Sequence, residues 1–61
     1  MEEIIVNLSK RFFVKQKDVD KISVIVSNKR YIDSILKAYS NLELIGEYEG
    51  WNLLYADFQL K

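Results

Sequence analysis

The residues that most often carry out chemistry in proteins are missing from this 61-residue chain, which contains no histidine and no cysteine. Histidine is the commonest general acid–base group and cysteine is the best thiol nucleophile, so the chain can use neither histidine acid–base catalysis nor thiol nucleophilic catalysis. The same absence removes the usual zinc ligands and any disulfide. Ser9 beside Lys10 and Ser27 near Lys29 lie in no nucleophile-elbow pattern. We therefore expect no enzymatic activity and no catalytic residue.

Two pairs of carboxylates lie close in sequence, Asp18 with Asp20 and Glu47 with Glu49. The aspartates occupy a predicted turn, where such side chains hydrogen-bond the local backbone. The glutamates alternate with apolar residues, as on the solvated side of a strand. The stretch from Asp18 resembles the opening of a calcium loop, but the glycine and glutamate that such a loop requires are missing. The sequence predicts neither a metal site nor a cofactor.

Two basic segments could bind phosphate groups. Segment 10–17 interleaves lysine and arginine with two phenylalanines, and single-stranded nucleic acid is held by such rings against bases and cations against phosphates. Segment 27–30 follows a predicted strand and opens a predicted helix, whose free N–H groups favour an anion. A nucleic-acid-binding function would use five residues of these segments: Arg11, Phe13, Lys15, Lys29 and Arg30.

The charges balance in total but are divided along the chain. Residues 1–30 hold seven basic and four acidic side chains, whereas residues 31–61 hold two basic and five acidic ones. A net charge of zero argues against strong nonspecific nucleic-acid binding, which depends on many phosphate contacts. The division of charge equally suits head-to-tail self-association.

The elements that position these residues follow from the spacing of apolar side chains. Segment 21–27 is short and rich in β-branched residues, which predicts a strand after a turn at 17–20. Segment 29–40 has apolar residues at i, i+3, i+4 and i+7, which predicts an amphipathic helix with Ser27 or Asn28 as its N-cap.

From residue 42 to residue 60 the apolar period is two, which predicts a β-hairpin with its turn at or near Gly50. The same alternation places Leu42, Leu44, Gly46 and Tyr48 together on one face of the first strand.

The N-terminal segment 3–14 fits two structures. As a helix it would present an apolar stripe, with Glu2 and Glu3 at the favourable end of the helix dipole. The β-branched residues near its start and the Phe-Phe-Val run at its end favour a strand. The predicted fold is therefore α+β, a small antiparallel sheet in the order β-β-α-β-β with one helix on one face. A helical segment 3–14 would give α-β-α-β-β instead.

One helix covers one face of a sheet, so the other predicted face exposes more apolar and aromatic surface than a monomer usually leaves in water. We therefore expect a non-enzymatic protein-interaction module, a homodimer or an accessory subunit or modulator of a larger protein assembly. The residues expected to bind protein are Tyr48, Trp51, Leu53 and Tyr55, since aromatic residues dominate such contacts. An N-terminal helix could cover part of this face and would weaken the case for an obligate partner. The alternatives are nucleic-acid binding and, more remotely, a fragment of a catalytic assembly.

The length suits one domain, residues 1–61. No segment approaches the roughly 20 apolar residues that cross a bilayer. The first residues, Met1-Glu2-Glu3, are acidic where a secretory signal is basic. We expect a cytoplasmic protein with no membrane partner.

Overall fold

The computed structural model describes residues 1–61 as two helices and one four-stranded antiparallel sheet. In chain order the elements are α1 (Glu2–Ser9), β1 (Phe13–Asp18), β2 (Lys21–Val26), α2 (Lys29–Ala38), β3 (Leu42–Gly50) and β4 (Leu53–Leu60). The predicted α+β class, the strand after the turn, the central helix and the C-terminal hairpin are confirmed. The helix α2 ends two residues earlier than predicted, and Asn28 is its N-cap, accepting a hydrogen bond from the Arg30 N–H at 3.0 Å.

The strands lie in the order β1-β2-β4-β3, and every neighbouring pair is antiparallel. The strands β2 and β3 both run antiparallel to β4, which lies between them, and α2 connects them as a split β-α-β unit. If α1 and β1 followed β4 in the sequence rather than preceding β2, the order of the elements along the chain would be β-α-β-β-α-β. Such a connectivity accommodates many functions, so function has to be sought in the side chains.

The N-terminal segment requires the main correction. The strand predicted for 3–14 is wrong over Glu2–Ser9, which is helical, and the alternative interpretation is right there. Ile4 and Leu8 lie one helical turn apart and are both buried, so a helix places both in the core. This burial outweighs the β preference of the branched residues, because that preference depends strongly on context. Only from Phe13 does the predicted strand exist, as β1.

Both helices pack on the same face of the sheet, and the core lies between them and the strands. The buried apolar residues form one cluster: Ile4, Leu8, Ile22, Val24, Val26, Ile32, Ile35, Leu42, Ala56 and Phe58. Alternate residues of the two central strands therefore point to the helices. The opposite face of the sheet, here called the open face, receives neither helix. A helical N-terminal segment could have covered part of this face, but α1 packs on the same side as α2 and leaves the open face uncovered.

A β-bulge in β3 changes the face that its side chains reach. Leu44 pairs with Phe58, but Gly46 pairs with Asp57, so Ile45 has no partner across the strand. The leucines before the bulge face the helices, whereas Tyr48 after it stands on the open face, paired with Tyr55. The predicted placement of all four residues on one face is therefore wrong beyond Leu44. The alternation of apolar residues in the sequence does not reveal that the bulge adds Ile45 to this strand.

Phe58 is fully buried in the core and Phe13 is 79% exposed on β1, which makes them a matched pair for testing the core. Phe58→Ala is expected to lower the free energy of unfolding by about 3–5 kcal/mol, through lost burial and the cavity left behind. A chain of this length has roughly 3–9 kcal/mol in total, so this loss is a large fraction of its stability. Phe13→Ala is expected to change it by less than about 0.5 kcal/mol. Urea unfolding followed by circular dichroism at low protein concentration measures both, and equal losses would contradict the assigned core.

Candidate functional site

A continuous row of apolar and aromatic side chains crosses the open face. The strand pairing aligns Phe13 with Ile25, Ile25 with Tyr55, and Tyr55 with Tyr48. Paired residues point to the same face, so one residue from each of the four strands stands beside the next. Phe13 is almost fully exposed, Tyr48 is exposed, and the two central members are half-buried. These four residues are called the apolar row.

All four residues predicted to bind protein lie together at this part of the molecule. Tyr48 and Tyr55 belong to the apolar row, and Leu53 lies two residues before Tyr55 on the same face of β4. Trp51 stands at the tip of the β3–β4 hairpin and is 96% exposed. The chain leaves its largest side chain almost entirely in solvent beside an uncovered apolar face.

The hairpin tip has an unusual backbone for the residue it carries. Gly50 pairs with Leu53, so the loop consists of Trp51 and Asn52, with φ angles of 49° and 67°. Two-residue loops with both central residues at positive φ are type I′ turns, which favour asparagine and glycine. Asn52 suits this conformation, but a bulky residue such as Trp51 is an outlier there. The turn lies next to Gly50, where it was predicted, but Gly50 itself has no positive φ.

Each of the two glycines of β3 lies next to a tyrosine ring of the open face. A Cβ atom added to Gly46 would lie 3.1 Å from the Tyr48 Oη, so the Tyr48 ring lies across this glycine. A Cβ atom added to Gly50 would lie 3.7 Å from the Tyr55 ring. A side chain at position 46 would therefore displace the Tyr48 ring, whereas one at position 50 would make only ordinary contact with the Tyr55 ring.

A buried carboxylate lies next to the apolar row. Asp57 is only 8% exposed, although it stands on the open face between Ser23 and Gly46. Its Oδ2 accepts a hydrogen bond from the Lys17 Nζ at 3.5 Å, and its buried Oδ1 has no hydrogen-bond partner. A buried polar atom without a partner is uncommon and carries a free-energy cost. Sequence reasoning missed Asp57, because an aspartate in an alternating strand indicates only a solvated position.

Phe13 stands between two hollows. The first, about 370 Å³ in volume, lies on the open face and is lined by Phe13, Val14, Lys15, Ser23, Ile25 and Tyr55. The second, about 300 Å³, lies at the end of the sheet, and its walls include Arg11 and Leu53. The residues predicted for protein binding and for nucleic-acid binding therefore meet around Phe13.

The five residues predicted to bind nucleic acid do not form one surface. Phe13 and Lys15 are on the open face, and Arg11 precedes β1, its guanidinium 5.9 Å from the centre of the Phe12 ring. Lys29 and Arg30 begin α2 on the other side of the sheet. The Lys29 Nζ lies 3.8 Å from the Glu47 Oε2, and the capping oxygen of Asn28 already occupies the Arg30 N–H. An anion at this helix end would therefore meet a Lys29 charge that Glu47 partly neutralises and an Arg30 N–H that is already hydrogen-bonded.

Comparison of the chain with protein-family models, with curated proteins and with solved structures found no match. Neither helix has the length and apolar content that a membrane-spanning helix needs. No group of three or more histidine, cysteine, aspartate or glutamate side chains could hold a metal ion. Function is therefore inferred from the geometry of the chain itself.

Replacing Trp51 with asparagine is expected to stabilise the folded monomer by about 1 kcal/mol, because asparagine tolerates the positive φ that strains a bulky residue. The exposed tryptophan ring loses little packing when it is removed. Val19→Asn is the matched control, since Val19 is 81% exposed in the β1–β2 turn without a positive φ. Urea unfolding at low protein concentration is the measurement. A destabilised Trp51→Asn variant would show that the indole packs against the hairpin.

Proposed function

We propose that this protein is a non-enzymatic interaction module that binds other protein chains through the open face of its sheet. It self-associates, and it acts as an accessory subunit or modulator of a larger protein assembly. The observation that carries this proposal is the apolar row, which remains uncovered although the chain has two helices and places both on the opposite face.

The energetics of exposed apolar surface support a binding role. Removing apolar surface from water is favourable by about 25 cal/mol per Å². Monomeric proteins therefore rarely expose contiguous apolar patches larger than about a few hundred Å², and larger patches mark sites of interaction. Tyrosine and tryptophan are also the residues that contribute most to protein interfaces. On this chain the apolar row, Leu53 and Trp51 lie next to one another and are at least partly exposed.

The two edges of the sheet are poorer docking sites than the open face. The edge strand β1 carries Lys15 and Lys17 and has an irregular register between Gln16 and Asp18. The edge strand β3 carries three glutamates and the bulge at Ile45. Charged side chains and bulges are the devices by which proteins prevent strand-to-strand association. The open face is the apolar surface that lacks such protection.

Nucleic-acid binding is the second candidate, and one juxtaposition favours it. Phe13 and Lys15 are two residues apart on the open face, and Arg11 lies near Phe13. A base could therefore stack on the Phe13 ring while the two cations bind neighbouring phosphates. The zero net charge and the engagement of Lys17 and Lys29 in ion pairs reduce the available positive charge. Protein binding is for that reason the primary proposal.

Sedimentation velocity over a concentration series from about 1 µM upward tests self-association, since interfaces of ordinary size range from micromolar affinity to much tighter. The wild-type chain is expected to form dimers as concentration rises. Phe13→Glu is expected to weaken association at least about tenfold, because it places a charge in the apolar row. Val6→Glu, the same kind of change at an exposed position of α1, is expected to have no effect. A strictly monomeric wild-type chain would contradict self-association.

Titration of a labelled single-stranded oligonucleotide at two salt concentrations tests the second candidate. If the open face binds nucleic acid, Phe13→Ala should cost about 1–3 kcal/mol of binding by removing one stacked ring. Lys15→Ala should reduce the salt dependence by about one phosphate contact, whereas Lys37→Ala on α2 should have no effect. Absence of salt-dependent binding would exclude this candidate.

A further inference from the structure

Trp51 and the hollow on the open face are complementary, and we propose that each binds the other between two copies of the chain. In this arrangement Trp51 of one copy enters the hollow between Phe13 and Tyr55 of the second copy, and the second copy does the same in return. The inference rests on the proposed docking role of the open face and names what docks there: the β3–β4 hairpin tip of a second copy.

The tip of the hairpin has the properties of an anchor. Trp51 is 96% exposed, so its own chain neither covers it nor uses it to fill the hollow. It also occupies a backbone conformation that favours asparagine or glycine. Positions where a residue contradicts local preference are often positions retained for function. Tryptophan is moreover among the residues most enriched at the energetic centres of interfaces.

The hollow has the chemistry that an indole requires. Its volume of about 370 Å³ and its Phe13, Ile25 and Tyr55 walls offer an apolar space for a large ring. A buried tryptophan usually finds a partner for its N–H, and the hydroxyl of Ser23 in the hollow can accept that hydrogen bond. Lys15 at the same hollow can place its ammonium group against the indole face.

The charges around the two surfaces are opposite. Glu49 lies on the helix side of β3, directly before the hairpin tip, and is an exposed acid without an ion pair, whereas Glu47 is paired with Lys29. Lys15 lines the hollow and makes no ion pair within its own chain, whereas Lys17 is paired with Asp57. Docking the hairpin of one copy on the β1 side of the other therefore brings unlike charges together. This pairing uses the division of charge between residues 1–30 and residues 31–61.

The positions of the two surfaces favour a closed dimer. Tyr55 lines the hollow and lies only four residues after Trp51, so anchor and hollow belong to the same part of the sheet. A two-fold axis between them lets both contacts form at once, and such isologous pairing uses up both surfaces. A one-sided contact would instead leave one anchor and one hollow free and would add further copies.

The first experiment removes the anchor without harming the fold. Trp51→Asn, which is expected to be at least as stable as the wild-type chain, should weaken dimerisation at least about thirtyfold in sedimentation velocity. Val19→Asn should leave it unchanged. Trp51 is the only tryptophan, so its fluorescence should shift to shorter wavelength as the wild-type chain dimerises. Dimerisation without that shift, or undiminished in Trp51→Asn, would overturn the inference.

The second experiment reverses the charges that should meet across the dimer. Lys15→Glu and Glu49→Lys are each expected to weaken the homodimer about tenfold, because like charges then face each other at both contacts. Mixing the two variants should restore affinity. In the mixed dimer, one contact pairs the two substituted residues, which carry opposite charges, and the other contact pairs the unsubstituted Lys15 with the unsubstituted Glu49. Weakening without restoration on mixing would overturn the pairing of Lys15 with Glu49.

Failure of the inference and failure of the proposed function give different results. A dimer that is lost in Phe13→Glu but retained in Trp51→Asn uses the open face without the anchor, so only the inference fails. A wild-type chain that stays monomeric at every concentration removes the self-association on which both depend. Indefinite growth of the assembly in place of a dimer would overturn the closed two-fold arrangement.

Discussion

A four-stranded sheet has two faces, and the helices of this short chain bury apolar residues against only one of them. On the face of β2 and β4 that meets α1 and α2, the central residues are almost completely buried: Ile22, Val24, Val26, Ala56 and Phe58. Because both helices lie on that side, no helix of the chain forms a second layer on the open face. The exposed apolar row, the hairpin tip and the hollows all follow from this one-sided packing.

The register of the sheet assembles the candidate site. Antiparallel pairing brings Phe13, Ile25, Tyr55 and Tyr48 into one line, although they are far apart in sequence. The bulge at Ile45 is necessary for this line, because without it Tyr48 would point towards the helices. One inserted residue therefore decides whether β3 contributes a ring to the open face.

The division of charge along the chain has two roles in this structure. Within the fold, Lys17 pairs with Asp57 and Lys29 pairs with Glu47, so the basic and acidic halves of the chain meet. Such partly exposed pairs stabilise a protein little. In the proposed dimer, Lys15 on β1 and Glu49 at the end of β3 remain free to pair between copies, and such charges select orientation more than they add affinity. Recognition in this proposal therefore combines an apolar centre with a charged margin.

The local sequence determined a good part of this protein. Spacing of apolar residues predicted the strand β2, the helix α2 and the C-terminal hairpin, because burial of one face imposes a period that the sequence displays. Residue types predicted a binding surface of four side chains near the hairpin, of which Tyr48, Trp51 and Leu53 are exposed and Tyr55 is half-buried. The same spacing failed for residues 3–14, where helical and extended periods fit almost equally well and burial of Ile4 and Leu8 decides.

Only the tertiary structure decided the position of α1, the bulge at Ile45 and the burial of Asp57. Each depends on contacts between residues distant in sequence: α1 could have covered either face, the bulge exists only relative to β4, and Asp57 is enclosed by neighbouring strands. Local apolar patterns predict which residues will be buried, but not which surface of the protein they will pack against. For this chain the sequence predicts a sheet with an uncovered apolar face, and the packing of both helices on one side shows where that face is.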